Sequence, residues 1–303
     1  MCIRDSGSHL AIGLTQAGAR VRAVVRRPER GEWLMDGYGI EVVHGDLTDP
    51  ASLVRAFDGV DAVVSNAALA GRGKHYDSYY EANVHGTANV VNAVAEAGVS
   101  RMVQISTVGV YRTRLLGPND EDTPMLSGNE RALSSLFTDW RYANTKSLAE
   151  QKAWSLCKQL GIQLTTLRPG PIYGERDDKL TTRYARAMQR KVVWAPTLRL
   201  PHVHAGDVAR VLCAALQRPE SMGRAYNVVG DCASPFEVAR TWRRLAGQGP
   251  WVLPIPTPWT ARFDDGRARR ELGFVPRSLE EGLAGCVEEH HSFAALPEGT
   301  AVR

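Results

Sequence analysis

An α/β fold built on a doubly wound parallel sheet, with a small C-terminal lobe, is what this sequence predicts, and three observations carry the prediction. Helical and strand patterns alternate from Gly7 to Leu167, the strand runs are nearly continuous in Val, Ile, Leu and Ala, and the alternation breaks after Arg168-Pro169. Such apolar runs belong to parallel strands covered by helices on both faces, whereas a half-exposed antiparallel strand alternates apolar and polar residues. The 303 residues, 44% hydrophobic and 23% charged, suit one large domain with a smaller lobe and lie far from disordered or fibrous compositions.

The elements follow in order. Ser8 to Ala17 is helical and stops at Gly18, a residue suited to the left-handed cap. Arg20 to Val25 and Glu41 to Gly45 are strands. Asp49-Pro50 opens a helix through Phe57, with an N-cap carboxylate followed by Pro at the first helical position. Val60 to Ser65 is the third strand, Tyr80 to Ala97 a long helix ended by Gly98, and Arg101 to Ser106 the fourth strand. Tyr111 to Thr138 reads as a long loop, which in a compact domain is usually functional. Asp139 to Leu160 is a helix closed by Gly161, and Ile162 to Leu167 is a strand. Beyond Pro169, helices are predicted near Asp178 to Gln189, Asp207 to Gln217, Pro235 to Ala246 and Leu279 to Glu289.

Composition narrows the function. The balance of 37 Lys+Arg against 33 Asp+Glu gives +4, and the cations are scattered, which argues against a nucleic-acid partner. The Arg-rich stretch Arg183 to Arg190 could hold a substrate phosphate but reads first as a solvated face. No apolar run approaches the roughly 18 residues of a membrane span, so no membrane partner is expected and the cytoplasm is the expected location. The five Cys are far apart with no C-x-x-C pair, so neither a metal site nor a disulfide framework is expected. The hexapeptide Met1 to Ser6 has no periodicity and matches an in-frame translation of a common transposase-adapter sequence. It is expected to be a non-native leader.

A dinucleotide site needs a glycine-rich turn, a helix N-terminus aimed at pyrophosphate and a ribose-reading residue about 20 residues further on. Gly7 opens the first helix, and Arg26-Arg27 follows the next strand at that distance. Arg in that place suits a ribose phosphate through charge-assisted hydrogen bonds, which favours NADP(H) over NAD(H). Gly45-Asp46-Leu47 and Asn66-Ala67-Ala68 stand at the carboxyl ends of two strands, where open α/β sheets bind ligands. Asp46 could accept from an adenine amino group or simply start a helix. The small Ala67 and Ala68 would let a cofactor pack against backbone.

Tyr142 and Lys146 are four apart, on one helix face, just after the strand that ends in Ser106-Thr107. This trio fits reversible hydride transfer. Lowering a Tyr pKa from about 10 to about 7 requires ~4 kcal/mol of preferential phenolate stabilisation, which a neighbouring ammonium and an oxidised nicotinamide can supply together. Thr107 would hold the substrate oxygen while Tyr142 exchanges its proton, and Lys146 could also hold the nicotinamide ribose.

Taken together, Gly7-Ser8-His9-Leu10, Gly45-Asp46-Leu47, Asn83 to Thr87, Ser106-Thr107 with Val110-Tyr111, Tyr142 to Lys146, Arg168 to Gly174 and His202 to Ala209 resemble the extended short-chain dehydrogenase/reductases, specifically the NAD-dependent epimerase/dehydratase family. The resemblance continues through Tyr226-Asn227-Val228 and Glu271 to Pro276. It implies a Rossmann-like core over residues 7–170, with residues 171–303 mostly a substrate-binding lobe. It also implies Thr107, Tyr142 and Lys146 as catalytic residues, and Gly7, Arg26, Arg27, Asp46, Leu47, Asn66, Ala67, Ala68, Ser106, Tyr142, Lys146 and Pro169 around the cofactor. The expected partner is a small molecule, a ketone or alcohol or a nucleotide sugar; a homodimer is compatible.

Two departures from the family bear on function. The family's first strand and its T-G-x-x-G-x-x-G turn would precede Gly7, where the hexapeptide stands, so the core is expected to lack its first strand, to fold badly and to bind dinucleotide poorly. Family dehydratases carry Asp-Glu directly after the catalytic Thr, where Val108-Gly109 stands, so dehydration lacks its acid and base. Ketone or alcohol oxidoreduction therefore leads, with nucleotide-sugar 4-epimerisation second. A non-catalytic redox sensor is a third reading, opposed by the intact Tyr142/Lys146 pair.

Overall fold

The computed structural model describes residues 6–71, 73, 75–114, 117–130, 139–177, 179–230, 232–257, 260 and 262–294, without the side chains of 291–294. Its first part runs α1 (Ser6–Gln16), β1 (Arg22–Val25), α2 (Glu32–Tyr38), β2 (Glu41–His44), α3 (Pro50–Phe57), β3 (Val63–Ser65), α4 (Tyr76–Tyr80), a π-helical turn over Glu81–His85, α5 (Gly86–Glu96), β4 (Arg101–Ile105), β5 (Pro118–Asn119), α6 (Trp140–Leu160) and β6 (Gln163–Pro169). The remainder runs β7 (Ile172–Tyr173), α7 (Leu180–Met188), β8 (Val192–Pro196), β9 (Leu200–Pro201), β10 (Val203–His204), α8 (Ala205–Gln217), β11 (Arg224–Val228), β12 (Cys232–Ala233), α9 (Pro235–Ala246), β13 (Trp251–Ile255), β14 (Arg262–Phe263), α10 (Gly266–Leu272) and α11 (Leu279–Ala294).

The main strands are parallel and fall into two hydrogen-bonded groups. β11, β6, β4 and β3 lie side by side, with Val103 opposite Thr165 and Val64 opposite Val103, while β1 and β2 pair with Arg22 opposite Glu41. Helices cover both faces and join the groups. On one face α1 reaches both, with Leu10 packed among Val103, Ile105 and Val208, and Ala11 and Ile12 packed on Ala23 and Val25. On the other face Val24 and Val43 pack against the cluster of Leu53, Val90, Met102 and Leu164. Burial on both faces accounts for the nearly continuous apolar runs at β4 and β6, whereas β2 is the more exposed strand.

Local chemistry sets the element ends. The Asp49 carboxylate caps α3 by accepting from the Ser52 amide, with Pro50 at the first helical position. Gly161 closes α6 at φ +72°, a left-handed conformation that a side chain disfavours. The predicted Tyr80–Ala97 helix starts earlier, at Tyr76, and carries the π-helical turn, which apolar periodicity does not reveal. α2 and α10 are seven residues each, too short for a periodic pattern to announce them.

The division expected at residue 170 is crossed twice. α8 packs on α1, and β11 returns to the sheet beside β6. The lobe has its own core, in which Tyr173, Ala185, Val238, Trp242, Leu283 and Val287 pack together. Gly170 joins it to the sheet where a Cβ would fall 1.7 Å from the Pro201 carbonyl oxygen. Among the described residues no helix is long and apolar enough to cross a membrane.

Candidate active site

The site is built from the carboxyl ends of β4 and β6 and the first two turns of α6. Asp139 caps α6 by accepting from the Arg141 amide at 2.9 Å, so the helix starts at Trp140 and Tyr142 lies in its first turn. One turn later Lys146 is buried, and its ammonium donates to the Ile105 carbonyl, the last of β4, at 2.9 Å. Burial pushes the Lys146 pKa down to about 8, opposed by the charge of Glu150.

The next residues beyond β4 supply hydroxyls. Ser106 is held to β6 by its amide, which donates to the Leu167 carbonyl at 2.7 Å, while its buried Oγ has no hydrogen-bond partner among the described residues. Thr107 caps the short turn Val108–Val110, its Oγ1 accepting from the Gly109 amide at 3.2 Å. That bond uses a lone pair and leaves the hydroxyl proton for an oxygen outside. The turn packs against α6, which brings Ser106, Thr107, Tyr142 and Lys146 to one edge of the sheet.

A buried network fixes α6 to that edge. Glu150 accepts from Arg168 Nη2 at 2.6 Å and Nε at 2.9 Å, and Arg168 Nη1 donates to the Tyr111 hydroxyl at 2.7 Å. Tyr111 in turn donates to Asn227 Oδ1 at 2.7 Å. Asn83 ties the loop after β3 to the same helix: it accepts from the Leu69 amide at 2.7 Å and donates to the Leu69 carbonyl and to Thr145 Oγ1.

The residues expected around a cofactor line the same edge, further along. Gly7 is buried in the first turn of α1, where no acidic side chain stands, and Asn66 Nδ2 donates to Ser6 Oγ at 3.4 Å. Ala67 and Ala68 follow Asn66 at the end of β3. Leu47 packs over Gly86, and its carbonyl accepts from Asn89 at 2.7 Å. Pro169 ends β6. Arg26 and Arg27 are exposed past the end of β1. The Asp46 carboxylate accepts from the amide and hydroxyl of Thr48, which hold its pKa down together with the nearby charges of Arg26 and His44. Asp46 thus holds the turn before α3, whereas the helix start expected of it falls to Asp49.

Sequence reasoning missed a polar cluster that joins α1 to the lobe. His9 Nε2 contacts the Glu175 carbonyl oxygen at 2.6 Å, and the Glu175 carboxylate stands 3.2 Å from His204 Nε2, which holds its pKa down at about 2. His204 Nδ1 accepts from the Gly206 amide, so its other nitrogen carries the proton of the neutral ring. Arg176 beside them has φ +61°, and its Nη2 lies 3.3 Å from His9 Nδ1. His9 and His204 stand in segments that the motifs single out and Glu175 directly follows one, but nothing in their spacing announces that they meet.

The profile of the NAD dependent epimerase/dehydratase family matches residues 6–229. The chain belongs to this family. A 2-alkyl-3-oxoalkanoate reductase of Stenotrophomonas maltophilia (strain K279a) is 36% identical over 323 aligned residues, covering 91% of this chain and 94% of the relative. The solved structure of MoeE5 in complex with UDP-glucose and NAD superposes with a TM-score of 0.79 at 27% identity, covering 97% and 98% of the two chains. A UDP-glucose-4-epimerase from Stenotrophomonas maltophila with bound NAD has a TM-score of 0.82 at 21% identity, covering 96% of each, and shares the fold. This family member is accordingly an NAD(P)-dependent enzyme of the oxidoreductase/epimerase kind. Its residues fit a dinucleotide: the partnerless Ser106 hydroxyl, the helix N-terminus at Gly7 and the small Ala67-Ala68 pair follow one another along the sheet edge.

Proposed function

We propose that the protein transfers hydride reversibly between NADP(H), in preference to NAD(H), and a secondary alcohol or ketone, with Tyr142 as acid/base. The observation that carries this reading is the juxtaposition of α6, bearing Tyr142 and the buried Lys146, with the Ser106-Thr107 hydroxyls. The reductase relative supports a 3-oxo acid carrying an alkyl branch as the first substrate class to test. The nicotinamide, when bound, supplies the hydride. In the direction of reduction the Tyr142 hydroxyl gives its proton to the substrate oxygen, and the Thr107 proton bonds the same oxygen. The Lys146 ammonium stabilises the phenolate that remains. One hydride reaches carbon and one proton reaches oxygen, so the ketone becomes an alcohol. The cofactor would lie along the edge from Gly7, Asn66, Ala67 and Ala68 to Pro169, with Lys146 at its ribose and Leu47 and Arg26-Arg27 at its adenosine end. The reading carries a cytoplasmic location and is compatible with a homodimer.

Tyr142→Phe tests it. With NADPH and a 2-alkyl-3-oxo acid, turnover should fall by about 10²–10⁴-fold while dinucleotide binding is retained. Unchanged turnover would remove Tyr142 from the chemistry. Interconversion of UDP-sugars without net ketone reduction would make the protein an epimerase, a reading that the likeness to MoeE5 keeps in the comparison.

A further inference from the structure

One sheet face in the lobe is apolar from end to end and largely open among the described residues. β8 and β13 pair in parallel, with Val192 opposite Trp251, Trp194 opposite Leu253 and Pro196 opposite Ile255. Residues paired in register share a face, so these six side chains stand together. The intervening residues turn the other way, where Ala195 is buried and α9 packs. The six-residue face is open instead: Trp194 is 65% exposed, Trp251 69%, Ile255 44% and Val192 43%. Two large indoles left in water with aliphatic neighbours mark a surface that meets something.

The charge around this face narrows what it meets. From Lys179 to Gly206 the sequence holds six Lys or Arg and no Asp or Glu, and from Val238 to Phe263 it holds four Arg and again no carboxylate. Arg190 and Lys191 are exposed directly before Val192, the Lys191 carbonyl accepts from the Trp251 amide at 3.0 Å, and the Arg243 guanidinium lies over the Trp251 ring, 5.2 Å from its centroid. Arg199, past the far end, is paired with Glu237 at 3.4 Å. Arg244 is likewise paired, with Glu280 at 2.8 Å, so the cations beside the face that have no carboxylate partner among the described residues are Arg190, Lys191 and Arg243, gathered at the Trp251 end.

We propose that this face seats peripherally on an anionic lipid bilayer, with Trp194 and Trp251 at headgroup depth and Arg190, Lys191 and Arg243 against the lipid phosphates. Indoles suit that depth because they present an apolar body with one polar N–H, and cations beside them gain from the negative surface. A second copy of the chain fits less well, because a two-fold contact through this face would set the cationic surround against itself. The surface contact requires no spanning segment.

Flotation of the full chain with vesicles tests the proposal. The protein should float with phosphatidylglycerol mixed into phosphatidylcholine, remain behind with phosphatidylcholine alone, and dissociate as salt is raised. Trp194→Ser with Trp251→Ser should weaken vesicle binding by at least about tenfold. Lys191→Gln, which leaves the apolar face whole, should weaken it by roughly fivefold. Each variant is checked by its melting temperature, and the Lys191→Gln result decides the matter if the double Trp variant does not fold. No flotation with anionic vesicles, or equal flotation with neutral ones, overturns the proposal. So does a dimer in solution that dissociates in the Trp variant, which would assign the face to a second copy, or retention of this face by an acidic protein with no affinity for vesicles.

Discussion

Arg168 of β6 closes on Glu150 of α6 through Nε and Nη2, both bonded to one carboxylate oxygen, at 2.9 and 2.6 Å. Both side chains are buried, and the pair lies one helical turn beyond Lys146, so it sets where α6 meets the sheet and hence where Tyr142 and Lys146 stand.

Breaking that pair on one side should be costly. Arg168→Met leaves the Glu150 charge buried without its partner and strips the Tyr111 hydroxyl of a donor, a change expected to lower unfolding free energy by about 3–5 kcal/mol. Urea denaturation measures it. A loss below ~1 kcal/mol would mean that the pair does not fix the helix.

Lys146 gives stability a pH signature of unusual sign. Its folded-state pKa, about 8, lies below the ordinary 10.5 because burial disfavours the ammonium. Between these values the unfolded chain binds more protons than the folded one, so this group's contribution to stability rises with pH across the window. Lys146→Met removes the contribution, and its stability advantage over the parent should be largest below pH 8 and fade toward pH 10.5. The same loss of charge predicts that ketone reduction declines on the alkaline side above about pH 8. Denaturation of both proteins across this range checks the first statement, and a pH profile of turnover the second. A parent-to-variant difference that stays flat with pH would put the Lys146 pKa elsewhere.

Arg26 should decide between the two dinucleotides. It is exposed past β1, close enough to Asp46 to help hold down that carboxyl pKa, and engaged in no hydrogen bond or ion pair among the described residues. A guanidinium so placed can take a ribose phosphate without first giving up a partner. Arg26→Ala should raise the Kd for NADPH by roughly ten- to a hundredfold, the worth of a charged hydrogen bond, and leave NADH nearly unchanged. Fluorescence titration with each cofactor reads the ratio, and an equal effect on both would remove Arg26 from the discrimination.

Much of this architecture is legible in the sequence because strands such as Arg101–Ile105 are buried along their whole length and helices such as Trp140–Leu160 begin and end on explicit caps. The proposed trio of Thr107, Tyr142 and Lys146 could be picked out for a related reason, since Tyr142 and Lys146 lie on one helix and Thr107 follows a recognisable strand. What escapes is whatever depends on distant segments meeting. Asn83 reads as part of a motif, yet its work is to join Leu69 to Thr145, and Glu175 acquires its partners His9 and His204 only when the lobe closes on α1. The exposed face of β8 and β13 escapes for the opposite reason: Val192, Trp194, Trp251 and Ile255 look like core until the sheet leaves them outside.

The pairing of the strands gives the last prediction. Among the described residues β1 pairs with β2 alone and β3 with β4 alone, while α1 packs on both groups. Each of the two strands therefore has an edge whose amides and carbonyls find no strand partner among the described residues, and such edges gain from an added strand. A variant carrying an apolar strand and a glycine-rich turn ahead of Gly7 should pair with both β1 and β3. Each ladder hydrogen bond is worth about 0.5–1.5 kcal/mol net, so several together should raise the melting temperature by many degrees. The same turn would set backbone amides beside the N-terminus of α1, where the proposed site would hold the pyrophosphate, so NADPH affinity should rise with stability. Thermal melts and cofactor titration of the two proteins, side by side, measure both effects. If the added strand leaves both unchanged, the two groups are not halves of one sheet waiting for a common neighbour.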